Sequence, residues 1–244
     1  MKTRSRIILR IMIDIACLLI MGLFLVLWQL KEAVGVVEQL NKALVDRERL
    51  IAYAVEDNTA YTFVSTTEDN TYGDRFLVLN RKKSGVWERS YENDFSGLKP
   101  WKLLVADIDG DGEKELLTAV KKTTHYDKEE KNRLFVFNYK EGKLVKKWTG
   151  SDIAGNWEDF IAGDLVDTKG EEIIFITKEE VGKEKLFVYH WFDFGFLMLA
   201  HSKEYNKILD AVITGENQIR ITYNDGQKKS ERLHLESGLI LTVD

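Results

Sequence analysis

The sequence predicts an all-β fold, a small β-propeller of about four four-stranded blades, preceded by one N-terminal transmembrane helix and a short helical stalk. Three observations lead to this class. A long apolar run lies near the N-terminus, and a period-two alternation of apolar residues begins near residue 50. Similar segments then recur at intervals of roughly 47–57 residues, which is typical of radial or stacked repeats. The predicted propeller-like domain occupies residues 50–244.

The apolar run covers residues 11–30 and contains a single charged residue, Asp14. A helix of this length spans roughly 30 Å, the thickness of the hydrocarbon core of a bilayer. Basic residues cluster in residues 1–10, so the positive-inside rule places that end in the cytoplasm. The sequence therefore predicts a single-pass protein of a bacterial cell membrane with most of its chain outside the cytoplasm. A cleaved signal peptide is the alternative, disfavoured by the length of the run.

The segment after the apolar run, residues 31–49, is predicted to be a helical stalk. Val37, Leu40 and Leu44 recur at helical spacing among charged residues. Two interpretations remain open, because fewer than three heptads are short for a coiled coil. The helix either pairs with a second copy through residues 31–50 or lies on its own domain.

Composition excludes several classes of function. The net charge of −5 divides into +3 over residues 1–30 and −8 over the remainder, so the outer domain lacks the basic face that nucleic-acid binding requires. A single cysteine excludes an intramolecular disulfide framework. The four histidines form no zinc-binding pair, and no nucleophile elbow or phosphate loop is present. The sequence therefore predicts a protein that is not an enzyme.

The repeated segments are strand-like and end in turns. Residues 134–139 (LFVFNY) match residues 186–191 (LFVYHW), and residues 75–80 (RFLVLN) are an earlier relative. A four-stranded unit cannot bury both of its faces alone, so neighbouring units must cover them. A closed four-bladed ring is the preferred interpretation. An open array and a ring completed by a second chain are the alternatives. The units begin near Leu50, Lys102, Asp159 and Lys207.

An acidic loop lies between two predicted strands and contains Asp107, Asp109, Asp111 and Glu115. Carboxylates two residues apart on a tight loop can converge on one centre, where each pair repels by roughly 1–3 kcal/mol. A hard cation removes that repulsion, and Ca²⁺ suits a flexible ring of oxygen ligands. The loop is not an EF-hand, because Thr118 occupies position 12. An acidic β-turn without a metal is the alternative.

This loop, with the leucine at position 116 that follows it, resembles the calcium loops of FG-GAP and VCBS-type repeats in integrin-α-like propellers. The resemblance implies that Asp107, Asp109, Asp111 and Glu115 donate side-chain oxygens to Ca²⁺ and that Glu113 donates its backbone carbonyl. It further implies a calcium-stabilised fold that binds a protein or a glycan.

A weaker copy of the loop follows fifty-seven residues later, where Asp164 aligns with Asp107 and Glu172 aligns with Glu115. Most of the other acids are missing from it. We expect hydrogen bonds to hold this second loop.

A contact patch is predicted at Phe192, Phe194 and Phe196, which lie in an aromatic hairpin. Phenylalanines in a turn region cannot all be buried, and exposed aromatic clusters mark interaction sites. Together these features predict a membrane-anchored, calcium-stabilised interaction module outside the cytoplasm that binds a protein or a glycan. The alternative is an envelope enzyme or sensor with its active site on the propeller face.

Overall fold

The structure is a computed structural model that describes residues 31–69, 71–150, 152–179, 182–236 and 238–243. Sixteen strands make up the body of the chain, and most of them have the alternating or fully apolar patterns expected of half-buried and buried strands. In chain order the strands are β1 (Arg49–Glu56), β2 (Thr59–Ser65), β3 (Arg75–Arg81), β4 (Trp87–Asp94), β5 (Pro100–Ala106), β6 (Glu115–Lys122), β7 (Lys131–Lys140), β8 (Lys143–Thr149), β9 (Trp157–Gly163), β10 (Glu172–Lys178), β11 (Glu184–Phe192), β12 (Gly195–Ser202), β13 (Lys207–Gly215), β14 (Gln218–Asn224), β15 (Lys228–Glu236) and β16 (Leu239–Val243).

The strands form four antiparallel units, each built from four consecutive strands, which we call blades 1 to 4. Blade 1 is β1–β4, blade 2 is β5–β8, blade 3 is β9–β12 and blade 4 is β13–β16. The last strands of blades 3 and 4 also pair in parallel, His201 with Leu239 and Ser202 with Ile240, so these two blades share one eight-stranded sheet. This is a β-propeller-like arrangement of the chain.

The fourth strand of blades 1, 2 and 3 carries a β-bulge at the same point of the repeat. In each blade one residue of the fourth strand is skipped by the pairing with the third strand. The skipped residues are Ser90, Lys147 and Leu199. A bulge leaves its extra residue unpaired and changes the direction of that side chain. The three skipped positions can therefore make different contacts in the three blades.

Apolar clusters fill the spaces between successive blades. Trp157, Phe160 and Phe175 are fully buried between blades 2 and 3, and similar clusters join blade 1 to blade 2 and blade 3 to blade 4. Burying each such side chain contributes about 1.5–3 kcal/mol. Within the described ranges no apolar cluster joins blade 4 to blade 1. Among the described side chains, the apolar packing therefore joins the blades in chain order, as in an open row, whereas the sequence favours a closed ring.

One helix, α1 (residues 31–43), precedes the strands. Leu40 is fully buried on the face of blade 1 that is turned away from blade 2, and Val36 and Ala43 pack beside it. The helix is shorter than the predicted stalk of residues 31–49, because the chain turns between Val45 and Glu48 before β1 begins. The apolar side of α1 thus covers a blade of its own chain.

The predicted fold class and location need correction. No helix among the residues that the structure describes is long and apolar enough to cross a membrane. The predicted span, residues 11–30, lies outside the described residues. For the described residues, the class is therefore corrected to an all-β, propeller-like body preceded by the helix α1, and the predicted single-pass location in the cell membrane is corrected with it, because none of these residues supports a membrane span.

Candidate functional site

The acidic loop (residues 107–115) connects β5 to the start of β6. Asp107, Asp109 and Glu115 each offer a carboxylate oxygen, and these oxygens lie within 4.8 Å of one another. Glu115 is completely buried because it begins the apolar strand β6, whereas the two aspartates are half-buried. The structure thus brings together three of the five residues predicted to hold an ion.

Hydrogen bonds within the loop explain where the other two residues lie. The Asp107 carboxylate accepts hydrogen bonds from the amides of Asp111 at 3.1 Å and Gly112 at 2.9 Å. The Asp111 carboxylate accepts from the amide of Glu113 at 2.9 Å, and the Glu113 carboxylate pairs with Lys140 at 2.9 Å. The exposed Asp111 side chain stands outside the cluster, and the Glu113 side chain is exposed too, although the predicted ligand of Glu113 is its backbone carbonyl and that role stays a prediction.

Lys147 lies against two of the three clustered carboxylates. Its ammonium donates hydrogen bonds to Asp109 Oδ2 and, at 2.8 Å, to Glu115 Oε1. The same nitrogen lies 5.3 Å from the centre of the Trp191 ring, a cation–π contact. Asn138 completes the shell, donating to Glu115 Oε1 at 2.7 Å.

Burial and the Lys147 ammonium shift the pKa values of Asp109 and Glu115 in opposite directions. Burial raises the pKa of Glu115, although hydrogen bonds from Lys147 and Asn138 act against the rise. Burial is the largest single influence on Asp109 and opposes its ionisation, but the hydrogen bond and charge of Lys147, together with the Asp111 amide and the charge of Lys169, outweigh it and lower the pKa of that carboxyl group. The pKa of Lys147 is raised, because its bonds to Asp109 and Glu115 outweigh the desolvation of the ammonium. The cluster therefore favours a charged lysine between two carboxylates.

The donor set does not fit a calcium ion in this arrangement. Ca²⁺ takes six to eight oxygen ligands at 2.3–2.6 Å. Here an ammonium is hydrogen-bonded to two of the three clustered carboxylates, so it holds the place that the ion requires. Calcium binding by this loop stays a prediction.

The acidic loop is hydrogen-bonded to the second loop, residues 164–171, which connects β9 to β10. The Asp107 amide donates to Glu171 Oε1 at 3.1 Å, and the Glu171 amide donates to the Asp107 carbonyl at 2.7 Å. These bonds fix the loops of blades 2 and 3 against each other.

The second loop is held by hydrogen bonds, as expected from its missing acids. Glu172 is fully buried and accepts from the amides of Leu165 at 2.9 Å and Val166 at 3.1 Å and from the Thr168 hydroxyl. Asp164, which aligns with Asp107 of the acidic loop, is exposed. A carboxylate with three donors needs no ion to be satisfied.

The aromatic hairpin (residues 191–196) joins β11 to β12 and divides the predicted contact patch. Phe192 and Phe194 are 64% and 84% exposed. Phe196 instead packs inward, with its ring 5.0 Å from Trp148 and 5.2 Å from Trp191. Two of the three predicted contact residues therefore face outward, and the third supports the hairpin.

A cleft of about 390 Å³ brings the acidic loop and the aromatic hairpin together. The sequence did not indicate that these two features are neighbours, or that Lys147 and Trp191 join them. No local signal gives this proximity, because the acidic loop joins the first two strands of blade 2 and the hairpin joins the last two strands of blade 3. We call this the interblade cleft, and its lining residues are Asp109, Thr168, Lys169, His190, Trp191, Phe192 and Asp193.

A larger cleft of about 660 Å³ lies on blade 1, but its side chains are occupied with one another. Arg75 pairs with Glu92, and Asp74 accepts hydrogen bonds from the amide and hydroxyl of Thr66. No aromatic side chain lines it. The interblade cleft is the better candidate, because it combines exposed aromatic rings with charged groups.

Comparison with known proteins identifies the class of fold. No family model matches the chain, and no curated protein matches it. A solved structure of a candidate 6-phosphogluconolactonase from Bacteroides uniformis is similar to it, at 9% identity over 80% of this chain and 54% of that chain, with a TM-score of 0.51. Saccharomyces cerevisiae Sqt1 is similar at 8% identity over 80% of this chain and 46% of that chain, with a TM-score of 0.48.

The likeness to the B. uniformis structure shows a β-propeller-like fold and nothing about activity, since the identity is very low. The chain spans about half the length of the B. uniformis protein that it matches. The lactonase name describes that protein. The resemblance of the acidic loop to FG-GAP and VCBS-type repeats stays a prediction.

Proposed function

We propose that this chain is a propeller-like protein-binding module whose contact surface is the interblade cleft together with Phe194. The observation that carries the proposal is the exposure of Phe192 and Phe194 beside a concave site. An exposed phenylalanine ring stabilises a complex when a partner covers it and removes it from water. Clustered aromatic rings are typical of binding hot spots.

The hairpin that presents these rings is anchored from below. Phe196 and Trp191 pack against each other, and Phe196 also contacts Trp148 of blade 2. The position of the two exposed rings is therefore fixed by the cores of two blades. A preorganised surface loses less conformational entropy on binding, which favours affinity.

A protein partner fits this surface better than a glycan does. The projecting rings are phenylalanines, which offer apolar area without a hydrogen-bonding group. The charges around them are mixed, since Lys169 and Asp193 both line the cleft. Mixed charges around an apolar centre are the usual composition of a protein interface, in which the rim sets specificity.

The test compares partner capture by three forms of the protein in cells that make it. The double variant Phe192→Ala with Phe194→Ala removes the aromatic surface, and Tyr126→Ala removes a ring that is 94% exposed on blade 2 away from the cleft. All three forms should unfold at the same temperature, because the substituted rings are exposed. We expect the double variant alone to lose the captured protein. Equal capture by all three forms, or selective binding of a glycan on an array, would reject the proposal.

A further inference from the structure

The strongest unassigned feature is Lys147, a lysine enclosed by the acidic loop that the function above does not use. Its side chain is only 16% exposed. It contacts Asp109, Glu115 and the face of the Trp191 ring. Each of these contacts favours a positive charge, so the enclosure is a built cation site that a residue of the chain already fills.

The remaining carboxylate oxygens of the cluster also have donors within the chain. Asp107 accepts from the amides of Asp111 and Gly112. Glu115 Oε2 accepts from the amide of Ile108 at 3.2 Å. With these bonds and the ammonium in place, the loop closes without an external ligand.

Comparison between the blades of this chain gives an independent argument. Lys147 is the skipped residue of the bulge in β8, and the skipped residue at the same point of blade 3 is Leu199. In blade 3 the loop has lost its central acids, its buried Glu172 is satisfied by hydrogen bonds, and Leu199 packs on the apolar core. Blade 2 keeps the loop acids and has the cation Lys147 at the bulge. Blade 3 has lost the central acids and has the apolar residue Leu199 at the same position.

A divalent ion and the Lys147 ammonium cannot share this site. Both need the same oxygens of Asp109 and Glu115, and two positive charges at coordination distance repel strongly in a half-buried site. We propose that Lys147 is the resident cation of the acidic loop, so that the wild-type loop folds without a divalent ion and loss of the ammonium turns the loop into a divalent-cation site.

The experiment measures thermal unfolding of the full chain in EDTA and in calcium chloride, and tryptophan-sensitised luminescence with terbium chloride. Trp191 borders the site and serves as the donor. Lys147→Met removes the ammonium and keeps the apolar stem. Lys147→Gln is a second variant that retains hydrogen-bond donors in case the first fails to fold. Lys140→Met is the matched control, because it removes a lysine that pairs with Glu113 at the edge of the same loop.

We expect wild type and Lys140→Met to unfold at the same temperature with and without calcium and to give no saturable terbium signal. A Lys147 variant should unfold at a lower temperature in EDTA and gain about 5–10 °C when calcium reaches about a hundred times its Kd. A saturable one-to-one calcium response of the wild type would overturn the proposal. So would the absence of a calcium response in both Lys147 variants.

Discussion

Gly170 lies against the carbonyl group of Ile108, so close that a Cβ atom on the glycine would stand 2.3 Å from that oxygen. The glycine also has a φ angle of +92°, which side chains disfavour. This contact is where the second loop crosses the acidic loop. The close packing of blades 2 and 3 at the interblade cleft therefore depends on the absence of one side chain.

Gly170→Ala should destabilise the protein by more than the backbone conformation alone explains. A non-glycine residue with positive φ costs about 1–2 kcal/mol, and here the Ile108 carbonyl must also move. Gly85→Ala is the matched control, because Gly85 has a φ of +83° and open space around its Cβ position. Urea denaturation measures both losses, and equal losses would show that the two loops do not need this approach.

Glu172→Ala should cost about 2–5 kcal/mol of unfolding free energy, because it leaves the buried amides of Leu165 and Val166 without an acceptor. Asp164→Ala removes an exposed acid of the same loop and should change stability by less than about 0.5 kcal/mol. Chemical denaturation of the two variants checks the difference. A neutral Glu172→Ala would mean that the second loop is held by other contacts.

Acid sensitivity should come in part from Asp127. Its carboxylate accepts a hydrogen bond at 2.6 Å from Arg133, whose guanidinium is almost fully buried, and this bond lowers the pKa of Asp127 from 3.8 to about 2. A folded-state pKa below the unfolded value contributes stability above pH 3.8 that is lost as the pH falls towards 2.

Asp127→Asn should therefore lower the melting temperature at pH 5 and flatten its fall between pH 4 and pH 2. Asp210→Asn, an exposed carboxyl on blade 4, is the control and should keep the wild-type slope. Melting curves recorded across this pH range test the expectation. An unchanged slope in Asp127→Asn would remove Asp127 from the acid response.

Leu40→Ala tests whether α1 stabilises its own blade. Leu40 is fully buried against blade 1, so its truncation should cost about 2–5 kcal/mol. Val34→Ala, at an exposed position of the same helix, should be nearly neutral. Pairing of chains through residues 31–50 predicts instead a loss that depends on protein concentration, which unfolding at two concentrations distinguishes.

Local patterns of the sequence were enough to place most strands and both loops. Alternation marks β4 and β14, and the spacing of acids marks the loop that begins at Asp107, because both signals depend only on residues close together in the chain. The sequence places Phe196 in the surface patch, whereas its ring packs on Trp148 and Trp191, because the pairing of Phe192 with Gly195 sets the side of the sheet that each ring faces.

Lys147 could not have been found from local sequence, because it meets Glu115 only through a bulge thirty-two residues away. The end of α1 depends similarly on Glu48, whose carboxylate accepts from the Val45 amide and also from Arg89, forty-one residues away in blade 1. The parallel pairing of β12 with β16 joins segments that no periodicity connects. In each case a contact between distant parts of the chain decided the outcome.

The central claim, that the interblade cleft and Phe194 form the contact surface, is tested most directly by photo-crosslinking in cells that make the protein. A photoreactive phenylalanine replaces Phe194 in one form and Tyr126 in the other, both highly exposed positions. The account predicts one dominant protein adduct from position 194 that is absent from position 126. It also predicts that excess wild-type protein competes for this adduct and that the Phe192→Ala and Phe194→Ala double variant does not. Equal adducts from both positions, or none from position 194, would contradict the account.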